Sequence, residues 1–135
     1  MGSKKLNVRS ECIAGSEFED VNLSEARFTN INLSGSHFHD INFSDVHFSA
    51  AQMGGTVFQH IGRPPDKDGK QERQRPVTFE EAMLCDSVFR KVDMSGVRII
   101  DCNTEGMTID GVLVTELLRA YKARKGEQRG KSSNR

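Results

Sequence analysis

The chain has 135 residues, 36% of them hydrophobic and 28% charged, with 19 basic side chains against 19 acidic ones. That length suits one domain with a modest core, and the balanced charge gives no expectation of direct nucleic-acid binding. No apolar run is long enough to span a membrane.

Residues 1–10 read as an N-terminal tail and the start of a cap, with Leu6 and Val8 beginning the first ordered segment. Nothing in them has the charged-then-apolar form of a signal peptide, and Leu6 stands where a myristoylation motif needs Ser or Thr. The three cysteines, Cys12, Cys85 and Cys102, lack C-x-x-C spacing. They point to free thiols in a reducing compartment, the cytoplasm, and away from a disulfide framework or a zinc site. Cys102 is expected to point inward and the other two outward.

From residue 11 a period of five takes over. Large apolar residues recur as Phe18, Leu23, Phe28, Leu33, Phe38, Phe43, Phe48, Met53 and Phe58, then as Phe79, Leu84, Phe89, Met94 and Ile99. Two positions before each stands a small or β-branched residue, such as Ala26, Ile31, Ile41 and Val46. Neither regular element gathers such a set. Five residues of α-helix overshoot a turn by roughly 140°, and an odd step along a strand alternates faces. A coil that bends once per five residues does gather it, turning two side chains of every five inward. Dense internal repetition of this kind signals a solenoid, in which each unit is buried by its neighbours. The expected core is Phe18, Leu23, Phe28, Leu33, Phe38, Phe43, Phe48, Phe58, Phe79, Leu84 and Phe89.

Residues 62–76, "GRPPDKDGKQERQRP", interrupt the repeat and hold all three prolines of the chain. They contain no large apolar residue, so they read as a flexible loop thrown out from one corner. Such a loop is either a tolerated insertion or a contact element, and Arg63 and Lys67 are its candidate contact residues. The interruption also shifts the repeat phase by one.

Residues 111–126 read as a helix, with Thr115 as N-cap and Gly126 as the stop. Leu113, Leu117, Leu118 and Tyr121 share a face, so the helix is a lid on the last coil. A homodimer through Leu117 and Tyr121 is the further expectation. Residues 127–135 read as a disordered tail.

Units such as "VNLSE", "INLSG" and "INFSD" resemble the pentapeptide-repeat family, whose unit is Ala, Asp or Asn, Leu and two variable residues. The resemblance covers residues 11–110 and implies an all-β fold, a right-handed quadrilateral β-helix with four units per turn, here with a C-terminal α-helix cap. Four units per turn would set residues 20 apart side by side: Phe18 on Phe38 on Phe58, and Glu17, Glu19 and Asp40 beside His37, His39 and His60. In this chain Val or Ile often replaces Ala, and Phe often replaces Leu, which suits the same inward pockets.

No phosphate-binding glycine loop, nucleophile elbow or acid–base cluster is present, so no enzyme activity and no cofactor are expected. The four histidines are outward and spread over several faces, and surface metal binding by them is a minor alternative. Residues 11–61 carry seven acidic residues against Arg27 alone, and 77–110 carry seven against Arg90, Lys91 and Arg98. The repeats are therefore acidic, while the loop and C-terminal segment are basic. The expected function is a non-enzymatic scaffold whose partner is another protein, met by Glu17, Glu19, Asp20 and Asp40 and by the loop. The resemblance adds an alternative, since family members that protect DNA gyrase from quinolones are thought to mimic DNA with an acidic rod and dimerise at their C-terminal ends.

Overall fold

The computed structural model describes residues 4–132 of the chain. The opening Met-Gly-Ser and the last three positions of the expected tail lie outside the described residues. Three regular elements are present: β1, Thr108–Ile109; β2, Val112–Leu113; and α1, Val114–Ser132. The chain divides into two units, Met1–Ile61 and Gly62–Arg135.

In both units the repeats are extended segments bent at every fifth residue, and two kinds of corner alternate. At the first kind the backbone closes a β-turn. Ala26 N–H donates to the Leu23 carbonyl, Ser36 to Leu33, Val46 to Phe43 and Thr56 to Met53, at 3.0 to 3.3 Å. The third residue of each turn has positive φ: Glu25 at 63°, Gly35 at 73°, Asp45 at 62°, Gly55 at 74°. Positive φ at that place is the mark of a type II turn. At the second kind of corner one residue turns left-handed with no closing backbone bond. Asp20, Asn30, Asp40, Ala50 and His60 do this at φ 51° to 55°. The same alternation runs through Glu81, Asp86, Lys91, Gly96, Asp101 and Gly106 after the interruption.

The recurrent Asn or Asp of the unit explains how the first kind of corner is held. Asn32 Oδ1 accepts the Ser34 N–H at 2.9 Å and its hydroxyl at 2.6 Å. Asn22 and Asn42 accept the N–H of Ser24 and Ser44 in the same way, and Asn103 that of Glu105. Each is an Asx-turn laid over the start of a β-turn, which is why a short amide or carboxylate is useful at that position.

The expected core is not formed. Among the described residues none is buried, and Phe18, Leu23, Phe28, Leu33, Phe38, Phe43, Phe48, Phe58, Phe79, Leu84 and Phe89 are 44% to 66% exposed. The reason lies in the neighbours each side chain has. Nearly all close approaches of the backbone are between residues fewer than twelve apart, so nothing 20 residues away covers a given ring. The aromatic contacts follow the five-residue step instead. Phe43 meets Phe38 and Phe48 edge to face, with centroids 5.8 Å apart in both pairs. Phe43 accordingly has the lowest exposure among these three, 46%. The accessible surface of the chain is 15216 Å², about twice the ~7,100 Å² of a compact monomer of this size.

The best-sheltered residues are Thr104, Met107 and Val114, each half-buried, around the β1–β2 hairpin. Thr108 pairs with Leu113 and Ile109 with Val112, and Asp110 and Gly111 make the two-residue turn at φ 47° and 81°. Two positive φ values in succession define a type I′ turn, for which Asp-Gly is a favoured sequence. The hairpin delivers the chain to α1, and Val114 N–H donates to the Met107 carbonyl at 3.0 Å. One of the four amides that a helix start leaves unpaired is thereby satisfied.

The helix differs from its expected bounds. It starts at Val114, which puts Thr115 inside the first turn where it cannot be the N-cap. It also runs through Gly126 to Ser132, across most of the segment expected to be disordered. Gly126 has no positive φ, so it is an interior helical residue and not a stop. One glycine costs roughly 1 kcal/mol in a helix, and the flanking Lys125, Glu127, Gln128 and Arg129 are good helix formers. Leu117 and Tyr121 are 43% and 62% exposed, so the face that carries them is not packed down as a lid.

Candidate functional site

Two places concentrate side chains with distinctive surroundings, and the first is the insertion. The loop, expected to be free, is internally bonded. Arg63 Nη1 donates to Glu72 Oε2 at 2.6 Å, and Gln71 Nε2 donates to the Arg63 carbonyl at 3.1 Å. Asp66 organises the tip: its carbonyl accepts the Gly69 N–H, and its Oδ1 accepts the amides of Asp68 and Lys70 at 2.9 and 2.8 Å. Asp66 N–H in turn donates to the Lys70 carbonyl at 2.9 Å. Lys67 stands at the tip of this turn, whereas Arg63 is occupied by its ion pair.

The end of the loop reaches the repeats of its own unit. Arg73 Nη2 donates to Ser95 Oγ at 3.0 Å, and Ser95 N–H donates to Asp93 Oδ1 at 2.9 Å. The Asp93 carboxyl is held below the usual carboxylate range. The main causes are the hydroxyl and then the amide of Ser95, with the Arg73 charge a smaller contribution.

The second place is the acidic surface. Asp20 and Asp40, two of the four carboxylates expected to meet a partner, are left-handed corner residues, while Glu17 and Glu19 flank Phe18 on the straight segment before the corner. The same holds more widely. Of the fourteen acidic residues in 11–61 and 77–110, Asp20, Glu25, Asp40, Asp45, Glu81, Asp86, Asp101 and Asp110 all have positive φ. Asp and Asn tolerate that conformation better than most residues. The six aspartates among them, of the fourteen acidic residues, thus have a backbone explanation, which a reading of charge alone misses.

The histidine pairings are not assembled: no hydrogen bond or ion pair joins Glu17 to His37, Glu19 to His39 or Asp40 to His60. No three His, Cys, Asp or Glu side chains gather to hold a metal ion among the described residues. All three cysteines are exposed thiols, so Cys102 is not the inward filler it was expected to be. Its Sγ donates to the Ile100 carbonyl at 3.1 Å instead. No helix among the described residues is long and apolar enough to cross a membrane.

The family model for pentapeptide repeats matches residues 22–59, as eight copies. This stretch is a run of pentapeptide repeats, and its corners at Glu25, Asn30, Gly35, Asp40, Asp45, Ala50 and Gly55 mark the units one by one. Pentapeptide repeats imply a β-helix-type solenoid, and one C-terminal helix, α1, is present. No curated protein and no solved structure matches the chain.

Proposed function

We propose that this chain is a non-enzymatic binding or scaffold protein whose partner is another protein, engaged by the repeats and the insertion. The carrying observation is a regular surface presenting Glu17, Glu19, Asp20 and Asp40 beside unburied aromatic side chains. Right-handed, four-sided coiling is the form we infer for the repeats when their apolar stripe is covered. Support comes from the left-handed corner at every fifth residue. The exposed face of α1 around Leu117 and Tyr121 supports a homodimer, and light scattering at micromolar concentration tests it, a monomeric mass removing that part.

Mimicry of DNA toward gyrase is the weaker reading, because six of the fourteen repeat acids are aspartates at left-handed corners, where the backbone itself favours them. The two readings separate in a pull-down across a salt series with the quadruple variant Glu17→Gln, Glu19→Gln, Asp20→Asn, Asp40→Asn. A mimic loses its partner steeply with salt and with the variant. A scaffold shows a shallow salt response and loses binding when the loop or one patch is changed. A supercoiling assay with and without quinolone, showing neither inhibition nor protection at any concentration, removes the mimic.

A further inference from the structure

The balanced charge of the whole chain conceals a basic α1, which carries six cations against two acidic residues. At about 100° per residue, Arg119, Lys122, Lys125 and Arg129 fall within an arc of roughly 120° on one side of the helix. The two acidic residues, Glu116 and Glu127, fall on the other side with Ala120 and Ala123, together with the remaining two cations, Arg124 and Lys131. The four cations form a stripe about 15 Å long at 1.5 Å per residue. All four are exposed, and none forms an ion pair among the described residues. Beside the stripe lies Tyr121, 62% exposed, with Lys125 Nζ 5.9 Å from its ring centroid.

We propose that this side of α1 binds single-stranded nucleic acid, with Arg119, Lys122, Lys125 and Arg129 on successive phosphates and Tyr121 stacked on a base. A row of cations along a helix matches a polymer whose anions are evenly spaced, and an adjoining exposed aromatic ring adds a platform that any base can occupy. An acidic protein segment would use the cations and leave the ring without a role. Insertion into a lipid surface needs a broad apolar face, and on this helix the large apolar residues stop at Tyr121, with about three turns of mostly polar sequence following. This site is separate from the protein-binding surface proposed for the repeats, and it shares Tyr121 with the proposed dimer face, so nucleic acid and a second copy exclude one another there.

The test is fluorescence anisotropy of a labelled oligothymidylate with the full chain, across a salt series. Binding at low salt is expected, with log K falling against log salt at a slope of about −3, which is what four neutralised phosphates on a single strand give. The variant Arg119→Gln, Lys122→Gln, Lys125→Gln, Arg129→Gln should lose binding while keeping its helical circular dichroism, since Gln is a good helix former. Tyr121→Leu should weaken binding about tenfold by removing one stacked base, and Glu116→Gln with Glu127→Gln should not weaken it. No anisotropy change at low salt, or full binding by the four-glutamine variant, overturns the proposal. Equal affinity for labelled polyglutamate also overturns it and assigns the stripe to an acidic protein.

Discussion

Arg73 and Ser95 are 22 positions apart, yet the guanidinium donates to the hydroxyl at 3.0 Å and ties the proline-rich insertion to a corner of the second repeat block. Ser95 is the second residue of the Met94–Val97 turn and is itself held by Asp93. Replacing Arg73 with Gln should therefore loosen the loop and leave the repeats unchanged. Limited trypsin digestion reads this directly: cleavage after Lys67 and Lys70 should accelerate, with cleavage after Arg98 unaltered. Equal rates at Lys67 in both proteins would show that the link does not restrain the loop.

The same link should depend on acid. The Asp93 carboxyl is depressed in the folded chain, first by the Ser95 hydroxyl, then by the Ser95 amide, and to a lesser degree by Arg73. A depressed carboxyl contributes stability that is present above its unfolded value and is lost as pH falls through the folded value. Hydrogen exchange around Ser95 should thus be slow near neutrality and rise, relative to the intrinsic rate, only below the usual carboxylate range. In Asp93→Asn that acid-dependent rise should be absent.

Corner residues set a second expectation. Gly35 has φ of 73° with open space where a Cβ would stand, so Gly35→Ala meets backbone strain and no clash. It should cost about 1–2 kcal/mol. Ala50, at the other kind of corner, is also left-handed at φ 52°, and Ala50→Gly should stabilise by about 0.5–1 kcal/mol, the relief of that strain less the extra chain entropy of glycine. Urea denaturation of the two variants should move the midpoint in opposite directions.

The Asx-turns are separable from the β-turns they overlie. Asn32→Ala removes the acceptor for both Ser34 bonds and should cost about 1 kcal/mol, the usual net worth of such hydrogen bonds. Asn32→Asp keeps an oxygen at that place and should cost far less. A loss of equal size in both variants, measured by thermal melting, would locate the role of Asn32 elsewhere.

Helix α1 supplies the last test. Because Gly126 is interior to the helix, Gly126→Ala should stabilise it by about 1 kcal/mol and raise the helical signal in circular dichroism. At a left-handed helix stop the same change would destabilise.

How much of this was legible in the sequence differs from feature to feature. The period of five was plain because Phe and Leu mark it, and the phase shift across the insertion was plain for the same reason. The kind of each corner was not: Asp20 and Asp40 read as charge for a partner, since one carboxylate serves both a surface and a left-handed backbone. The β1–β2 hairpin has a sequence signal of its own. Asp110-Gly111 between Thr-Ile and Val-Leu is a strong turn signal, but the repeat pattern runs to the same Asp110 and hides it. Gly126 misled because glycine stops a helix only when the chain beyond it fails to propagate one. Apolar spacing named which side chains form the stripe, and it could not say what lies against them.

The alternation of corners also constrains how such a chain can change length. His60 and Glu81, on either side of the insertion, are both corners of the kind without a closing bond. The insertion therefore stands where a hydrogen-bonded corner would fall, and the rhythm resumes on the beat it left. Gain or loss of ten residues carries one corner of each kind and preserves the order, while gain or loss of five sets two like corners side by side. The heritable module is consequently the pair of units, and chains of this design are expected to lengthen by duplication in tens.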